Sequence, residues 1–409
     1  MKRPLLVTAL VSVLSAVAAP NVLAQPRPAR PVLLPAAGKP LTLEAGGQKV
    51  RVALVAGGLV GPWDLAFLPD GKTILVTESP GRLRIIRDGM LDPQPLWTVP
   101  SPPRGNDVLH GLAVHPDFAE NHFVYVSYAK TGDKGITLAV ARGRLENGKL
   151  SDMHDIFVAD AWDSTTIAIA GRMLFGPDNM LYVTVGDRDR LCCVAKDDNS
   201  LRMKAQDLGT DVGKTLRITA DGGIPKDNPF VGRPNVRPEI FTYGHRNGYG
   251  LAFRPGTDEL WEIEIGPMGG DELNVLKPGH NYGWPLVSLG RNYSGTLVSD
   301  HPWFRPGMDM PRMYWEPAIT PSGLAFYTGD RFPKWKGDMF VGALSGELVE
   351  RIALGQPREA ELRQPMLTRL GVRFRDVEQG PEGDLYVTTE VRYGTSSPDG
   401  AILRIEPAE

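Results

Sequence analysis

The sequence has little of several features that mark common classes of protein. Its formal net charge is only −3 over 409 residues, and it contains no block of basic residues, so a nucleic-acid partner is not expected. Stretches with the period of amphipathic helices, about 3.6 residues, are hard to find. Beyond the N-terminus, no apolar run approaches the roughly 20 residues that a membrane span needs. These absences predict a globular protein with few long helices and no stable membrane insertion.

The longest apolar run lies at the N-terminus, in "MKRPLLVTALVSVLSAVAAPNVLAQ". Lys2 and Arg3 precede this run, and Ala24 offers a small residue for cleavage, which is the pattern of a secretory signal peptide. Residues 1–24 are therefore predicted to be a cleaved signal and residues 25–45 a Pro-rich segment, which makes the mature protein periplasmic or secreted. A retained membrane anchor is the alternative.

Cysteine is also scarce, because only Cys192 and Cys193 occur, side by side. An exported protein meets an oxidising compartment, where these two residues could form a strained disulfide. Ordinary disulfide geometry does not allow that bond without distortion. Two reduced thiols in a loop are therefore the other alternative.

Six segments of the chain resemble one another in sequence. Each contains a short apolar strand, a turn rich in Pro, Asp or Gly, and a second strand with alternating β-branched or aromatic residues. Further strand candidates, such as "RLRIIRDG" and "KTLRITADG", lie between the copies. The six copies are "WDLAFLPDGKTILVTE" from Trp63, "HGLAVHPDFAENHFVYVSY" from His110, "AGRMLFGPDNMLYVTVGD" from Ala170, "YGLAFRPGTDELWEIEIG" from Tyr249, "SGLAFYTGDRFPKWKGDMFVGAL" from Ser322 and "RDVEQGPEGDLYVTTE" from Arg375.

A hairpin with two further strands, present six times, predicts an all-β fold, a six-bladed β-propeller over residues 46–409. The ring is expected to close where "KVRVALVA" near the N-terminus joins "GAILRIEP" near the C-terminus in one blade. A large two-layer β-sandwich is the structural alternative.

The residues just before the first strand of each copy are expected to surround the mouth of the central channel. Three arginines at these positions predict an anion site, because guanidinium groups pair with carboxylates in a forked geometry. The alternative is that each arginine pairs with a carboxylate of a blade. The positions hold Asn106 in the second copy, Ala168 in the third, Arg246 and Asn247 in the fourth, Ala318 in the fifth, and Arg373 with Arg375 in the sixth.

The fourth copy ends in an unusual turn, within "WEIEIGPMGGDELNV". A strand with alternating residues runs directly into a glycine-rich turn that carries the adjacent carboxylates of Asp271 and Glu272. Such a turn brings backbone carbonyls and acidic side chains together, which suits a hard cation such as Ca²⁺.

Several of these segments together resemble one protein family, the soluble quinoprotein sugar dehydrogenases of the glucose/sorbosone and aldose sugar dehydrogenase type. The resemblance runs from about residue 58 to residue 405. It is carried by "GPWDLAFLPDG", "AQDLGTDVGKTLRI", "GGIPKDNPF", "YGHRNGYGLAF", "GPMGGDELNVLKPGHNYGWP" and "RFRDVEQGPEGDLYV". The family implies a six-bladed propeller with pyrroloquinoline quinone over the channel and a calcium ion between the quinone and the protein.

The resemblance assigns roles to the residues around the channel mouth. Arg246 and Asn247 match the pair that contacts the quinone oxygens, and Arg373 and Arg375 match the arginines near the quinone carboxylates. Asn106 stands where the family has a Gln beside the quinone.

The resemblance also implies two calcium ions. The backbone carbonyls of Gly266 and Pro267 match the ligands of the ion at the quinone. Glu272 and Tyr282 resemble a second, structural calcium site, and Asp271 with Glu272 matches the acidic pair after the turn.

The sequence departs from the family where protons are handled. The family's general base is a histidine, and Ala168 matches its position, so the methyl group there cannot take the substrate's hydroxyl proton. Ser345 replaces a lysine, and Ile265 replaces a His or Gln. His110 and Asp163 are candidate substitutes for the missing base. For His110 the alternative is a core histidine. Asp64 is a further candidate, but a turn-capping role explains it more readily.

The function that these observations predict is a calcium- and quinone-dependent dehydrogenase that oxidises a sugar or another alcohol and passes the electrons to an unidentified acceptor. A non-catalytic propeller that binds a sugar or quinone is one alternative. A calcium-dependent propeller hydrolase of the lactonase kind is another, but such sites need acidic and Asn side chains at the channel axis, where this sequence has arginines and apolar residues.

Overall fold

In the computed structural model, the six repeated segments form six separate antiparallel sheets. The structure describes residues 31–105, 107–190, 199–354, 362–392 and 396–408. Strands make up 47 % and helices 5 % of the described residues, and the sheets are arranged in a ring. Each copy supplies the two innermost strands of one sheet, so the predicted six-bladed β-propeller is confirmed.

The blades follow one another along the chain, and the inner strand of each comes first in sequence. Blade one contains β3 (Pro62–Phe67), β4 (Thr73–Glu78), β5 (Arg82–Arg87), β6 (Met90–Leu91) and β7 (Trp97–Thr98), and blade two contains β8 (Leu109–Val114), β9 (Phe123–Gly132), β10 (Gly135–Glu146) and β11 (Lys149–Val158). Blade three contains β12 (Ala170–Phe175), β13 (Leu181–Val185), β14 (Lys214–Ile218) and β15 (Ile240–Tyr243), and blade four contains β16 (Gly248–Phe253), β17 (Leu260–Glu264), β18 (Asp271–Leu276) and β19 (Met313–Trp315). Blade five contains β20 (Pro321–Phe326), β21 (Met339–Ala343), β22 (Leu348–Ala353) and β23 (Leu362–Met366).

The sixth blade closes the ring by joining the two ends of the described chain. It contains β24 (Arg373–Gln379), β25 (Leu385–Glu390) and β26 (Gly400–Pro407), followed in the sheet by β2 (Gln48–Leu59) and β1 (Leu41–Ala45). Strands β2 and β26 are antiparallel, with Val52 opposite Ile405. The predicted closure is therefore confirmed. Strand β1 starts before residue 46, where the propeller was predicted to begin.

The inner strands β3, β8, β12, β16, β20 and β24 each contact the next and line the central channel. They pack closely, since a Cβ on Gly111 would overlap the carbonyl oxygen of Gly171 in the neighbouring blade. The apolar core lies between blades; for example, Leu75 and Ile85 of blade one pack in one cluster with Val124 of blade two. The ring thereby brings the entrances of all inner strands to one face.

Helical structure is limited to α1 (Phe118–Asn121), α2 (Asn199–Arg202) and three short 3₁₀ turns in the described residues. None of the helices in this part of the chain is long and apolar enough to cross a membrane. The predicted signal peptide, Asn106, Cys192 and Cys193 lie outside the described residues.

Candidate functional site

The channel mouth brings together residues from blades one, four and six. Trp63 and Tyr249 form a T-shaped aromatic pair with ring centroids 5.5 Å apart. The Arg375 guanidinium lies 5.9 Å from the Tyr249 centroid and 6.0 Å from the Trp63 centroid. Arg246 and Asn247 immediately precede the strand that carries Tyr249. The predicted rim residue Arg375 therefore lies at this aromatic pair, and Arg246 and Asn247 enter the strand that carries Tyr249.

Arg373 and Arg375 share a carboxylate of their own blade. Glu390, the last residue of β25, accepts Arg373 Nε at 2.8 Å and Arg375 Nη2 at 3.1 Å through the same oxygen. Burial alone would raise the pKa of Glu390, but Arg375 and Arg373 lower it, so the carboxylate stays ionised. The alternative that these arginines pair with a blade carboxylate is confirmed, and the pairing holds both guanidinium groups at the mouth.

Arg246 connects the channel mouth with the glycine-rich turn. Its Nη1 donates to the carbonyls of Ile265 at 2.6 Å and Gly266 at 3.0 Å. Its backbone N–H donates to Glu264 Oε2 at 2.6 Å, and its guanidinium lies 5.4 Å from the ring centroid of Trp284. Arg246 is thus held by β17 and by the turn that follows it.

Asn247 and Ala168 both pack closely against Gly186. A Cβ on Gly186 would overlap the Ala168 carbonyl and approach within 2.7 Å of Asn247 Oδ1. Asn247 is 7 % exposed, and its Oδ1 has no hydrogen-bond partner within the described parts of the chain. A buried acceptor of this kind fits a ligand that donates a hydrogen bond.

The backbone at the entrance of blade three is strained. Ala168 has φ +50° and Ala170 has φ +58°, in the left-handed region that alanine rarely adopts. Such backbone persists where the surrounding structure holds it, and it is common at active sites. The carbonyl of Ala168 is held by the backbone N–H of Arg188 at 3.2 Å. The position that matches the family base thus has an unusual backbone but only a methyl side chain.

The other two departures from the family are Ile265 and Ser345. Ile265 packs against the apolar channel cluster of Trp63, Ala170, Tyr249 and Leu344. Ser345 has its hydroxyl 2.8 Å from the hydroxyl of Thr320. Neither side chain offers a base.

His110 is a core residue with unsatisfied ring nitrogens. It is 0 % exposed and packs edge-on against Trp63, with ring centroids 5.4 Å apart. Neither ring nitrogen has a hydrogen-bond partner among the described residues; the nearest charge, Asp107 Oδ1, is 3.7 Å from Nδ1. Burial lowers the pKa of His110 to about 4, and nearby Arg375 and Arg188 lower it further, against Asp107. The ring is therefore neutral at pH 7.

Asp163 is held in structural contacts. Its Oδ2 pairs with Arg190 Nη1 at 3.0 Å, and its Oδ1 accepts the backbone N–H of Ser164 at 2.6 Å. Its backbone bridges to Ile136 at the start of β10. In this arrangement Asp163 fixes the loop before blade three.

Asp64 lies in the channel, so its interpretation as a turn-capping residue is wrong. Arg172 Nη1 pairs with Asp64 Oδ1 at 2.7 Å and with Asp376 Oδ1 at 2.9 Å, and all three residues are buried. Burial, and then repulsion from Asp376, raise the pKa of Asp64, although Arg172 opposes both. This triad connects blades one, three and six across the channel.

The glycine-rich turn is fixed by Asp271. Its Oδ1 accepts the backbone N–H of Gly266 at 2.8 Å, and its Oδ2 accepts those of Ile319 and Thr320 at 2.7 and 2.8 Å. Burial raises the pKa of Asp271 to about 6, while these three hydrogen bonds lower it. Asp271 therefore closes the turn and ties it to blade five.

Glu272, which is half-buried, lies beside the buried carboxylate of Glu264. The Nδ2 of Asn274 lies 3.3 Å from Glu272 Oε2 and 2.8 Å from Glu264 Oε1, so one amide lies between both groups. Burial raises the pKa of Glu272, and Glu264 raises it further. A cavity of about 10 Å³, with room for one ion or water, is bordered by Glu264, Glu272 and Gly266. The two carboxylates offer oxygen ligands to a cation in this cavity, while Arg246, which also borders it, offsets part of their negative charge.

Two other predicted calcium ligands contribute backbone atoms. The carbonyl of Pro267 accepts the Tyr293 hydroxyl at 3.4 Å, and that of Gly266 accepts Arg246, so each oxygen keeps a second lone pair. The Tyr282 hydroxyl is used elsewhere: it donates to Val275 O at 2.7 Å and accepts from Lys277 N at 2.9 Å. For Tyr282, the backbone carbonyl is the atom that remains for a metal.

A buried cluster beneath Arg246 was not identified from the sequence. His245 Nδ1 lies 3.3 Å from Glu264 Oε1 and 3.4 Å from Glu262 Oε1. Burial would lower the pKa of His245, but Glu262 and Glu264 raise it. A protonated His245 ring therefore offsets part of the negative charge of the two glutamates. These ligand atoms lie within 4.8 Å of one another, a spacing that a metal ion could also bridge, as do those of Asp64, Asp376 and Glu378.

One signal in the sequence could have found this cluster. Glu262 and Glu264 are two residues apart on a strand and therefore share one face. Both flanking residues, Trp261 and Ile263, are buried, and so are the glutamates themselves. Two acids inside a strand that is covered on both sides need a partner, which His245 provides.

Comparison with known proteins identifies the family of this propeller. The sequence model of the glucose/sorbosone dehydrogenase family matches residues 59–404. An aldose sugar dehydrogenase of Escherichia coli is 36 % identical over 370 residues, which cover 89 % of this chain and 95 % of that protein.

Solved structures agree with this result. The apo form of a soluble aldose sugar dehydrogenase from Escherichia coli has a TM-score of 0.78 at 36 % identity and covers 88 % of this chain and 100 % of that chain. The PQQ-bound form of an aldose sugar dehydrogenase from Streptomyces coelicolor has a TM-score of 0.68 at 28 % identity, covering 91 % and 99 %.

Proposed function

Because the chain belongs to the glucose/sorbosone dehydrogenase family of sugar oxidoreductases, we propose that it binds pyrroloquinoline quinone and Ca²⁺ and oxidises a sugar or another alcohol. The observation that supports this most is the position of Arg375 beside Trp63 and Tyr249, with Arg246 next to the acidic turn and Asn247 directly before the strand that carries Tyr249. The N-terminal pattern supports a periplasmic location.

The side chains at the mouth suit a planar, multiply charged ligand. Arg246, Arg373 and Arg375 supply permanent positive charge for its carboxylates, and Asn106 completes the proposed set from outside the described residues. Asn247 Oδ1, buried and without a partner in the described chain, would accept a hydrogen bond from it. When bound, the quinone supplies the acceptor for the two electrons of the alcohol.

Calcium would occupy the acidic turn. Glu272, with the carbonyls of Gly266, Pro267 and Tyr282, offers the oxygen ligands that Ca²⁺ prefers. Such an ion would offset the mutual repulsion of the Glu264 and Glu272 carboxylates, which border the same small cavity.

Removal of the substrate's hydroxyl proton is the step for which the site offers no clear general base among the described residues. Ala168 has no titratable group, His110 is buried, and Asp163 is paired with Arg190. This favours a second candidate function, a propeller that binds quinone or sugar without turnover. The hydrolase alternative has less support, because Arg172 already pairs with the channel acids Asp64 and Asp376.

The test is a titration of the purified protein with quinone in the presence of Ca²⁺. We expect binding, and we expect Arg373→Ala to weaken it by about 1.5–3 kcal/mol, the range for a hydrogen bond to a charged group. Arg254→Ala, an exposed arginine paired with Glu259, serves as the matched control and should bind like the parent. A double Arg373→Ala, Arg375→Ala variant that binds as tightly as the parent would refute the site. An artificial-acceptor assay with a panel of aldoses and alcohols then separates the dehydrogenase from the non-catalytic propeller.

A further inference from the structure

A short hairpin, residues 291–297, stands over the glycine-rich turn, and we call it the rim hairpin. Arg291 and Met268 exchange two backbone hydrogen bonds, each 2.9 Å long, and Arg291 also bridges to Leu297. The N–H of Asn292 donates to Thr296 O at 2.9 Å across the turn. The rim hairpin is thus an extension of the turn that we propose as the calcium site.

The base of the rim hairpin is rigidly anchored in the protein. Asn292 is 4 % exposed, and its Oδ1 accepts Arg202 Nη1 at 2.6 Å. Arg202 is itself buried and pairs with Asp189 Oδ2 at 2.8 Å. Asp189 follows β13, whose last residue pairs with Ala170 at the entrance of blade three. The rim hairpin is therefore bonded both to the glycine-rich turn and to blade three.

The outer side of the same unit is apolar and open to solvent. Met268, Tyr293 and Leu297 are 43, 39 and 49 % exposed, although the backbone that carries them is tightly bonded. The Tyr293 hydroxyl reaches the carbonyl of Pro267 at 3.4 Å, which holds the ring beside the turn. An exposed aromatic ring with two exposed apolar side chains on the same unit, beside a polar and charged turn, combines the apolar and polar groups that bind small ligands.

We infer that the rim hairpin is a sugar-binding subsite in which the Tyr293 ring packs against the C–H face of an aldose ring. Aldoses have one face lined by C–H groups and an edge of hydroxyls, which matches an apolar platform next to backbone carbonyls and Arg246. This inference rests on the proposed function, because it names the class of substrate bound at the same site.

The experiment measures sugar binding without turnover. Protein loaded with quinone and Ca²⁺ is titrated with 1-deoxyglucose, a hexose analogue without the anomeric hydroxyl, and binding is followed by calorimetry and saturation-transfer NMR. Tyr293→Ala should weaken binding by about three- to tenfold, the range for one lost ring contact. Tyr293→Phe should bind like the parent, because the stacking ring is retained. Trp303→Ala is the matched control, since Trp303 is a 64 % exposed aromatic residue of the same insertion.

The outcomes separate this inference from the proposed function. If quinone binds but Tyr293→Ala binds the sugar as tightly as the parent and Trp303→Ala, the subsite is refuted and the cofactor site stands. If the parent binds quinone but no sugar, the substrate class is refuted. If the parent binds no quinone, the proposed function fails. Sugar binding by the parent and the Tyr293 variants is then compared on the quinone-free protein. Equal sugar binding by all of them would overturn the subsite. Melting curves of each variant check that it is folded.

Discussion

Two neighbouring parts of the channel mouth differ in what they keep of the family pattern. At the glycine-rich turn, the backbone turns at Gly269 and Gly270, with φ +77° and +69°, and the acidic side chains that suit a cation follow. At the entrance of blade three, the backbone of Ala168 is also left-handed, with φ +50°, but its methyl side chain can neither accept a proton nor bind a cation. The shape of a site and its reacting group are therefore separable, and a family match over most of a chain does not by itself transfer a reaction.

The most direct test of this difference is to restore a base at position 168. Ala168→His should raise sugar oxidation by about 10²–10⁴-fold over the parent, the usual contribution of a general base. The substitution suits the backbone, because histidine is enriched several-fold at positive φ. The measurement is the turnover rate with an artificial electron acceptor on quinone-loaded protein.

Ala168→Asn is the matched control for this substitution. Asparagine is equally at home in the left-handed region, but it is no base, so it should not raise activity. Equal rates for the His and Asn variants would mean that the missing base is not what limits the protein.

The turn, in contrast, should respond to metal. We expect Ca²⁺ at a thousand times its Kd to stabilise the protein by about 4 kcal/mol, because it binds only the folded state. Melting curves with Ca²⁺ and with excess chelator measure the difference. Coincident curves for the parent would contradict the calcium assignment.

Glu272→Gln sharpens this test. The variant should lose most of the response to Ca²⁺, because it loses a charged ligand. Without calcium it should be at least as stable as the parent, since one of the two neighbouring carboxylates that repel each other is gone. Glu259→Gln removes an exposed carboxylate of the same blade and should keep the full calcium response.

Much of the fold could be predicted from the sequence because each blade repeats a local pattern. The strand, turn and strand of a copy such as the one from Trp63 lie within a few residues of one another, and their alternation is visible directly. Closure of the ring followed from two strand-like segments that had no partner nearby. The start of β1 at Leu41 was not predicted, because its pairing with β2 outweighs the Pro-rich composition around it.

Much of the site depends on contacts that the sequence does not display. Arg172 and Asp376 are 204 positions apart, and only the ring brings them to 2.9 Å. The shared pairing of Arg373 and Arg375 with Glu390 could be considered in advance only as a general alternative, because no local pattern indicates it. The left-handed backbone of Ala168 was equally invisible, since alanine gives no sign of positive φ.

The smallest expected effect concerns the other candidate base, His110. Its pKa is lowered to about 4 by burial, so protonation costs more in the folded than in the unfolded protein. The stability that the neutral ring contributes is therefore complete above the unfolded pKa of about 6.5 and is lost as pH falls towards 4, by about 3 kcal/mol. His110→Asn should flatten the dependence of the unfolding free energy on pH in this window, measured by denaturant titration at several pH values. His154→Asn, at an exposed position, is the matched control. If the unfolding free energy of His110→Asn depended on pH as steeply as that of the parent, His110 would not be a buried histidine that stays neutral in the folded protein.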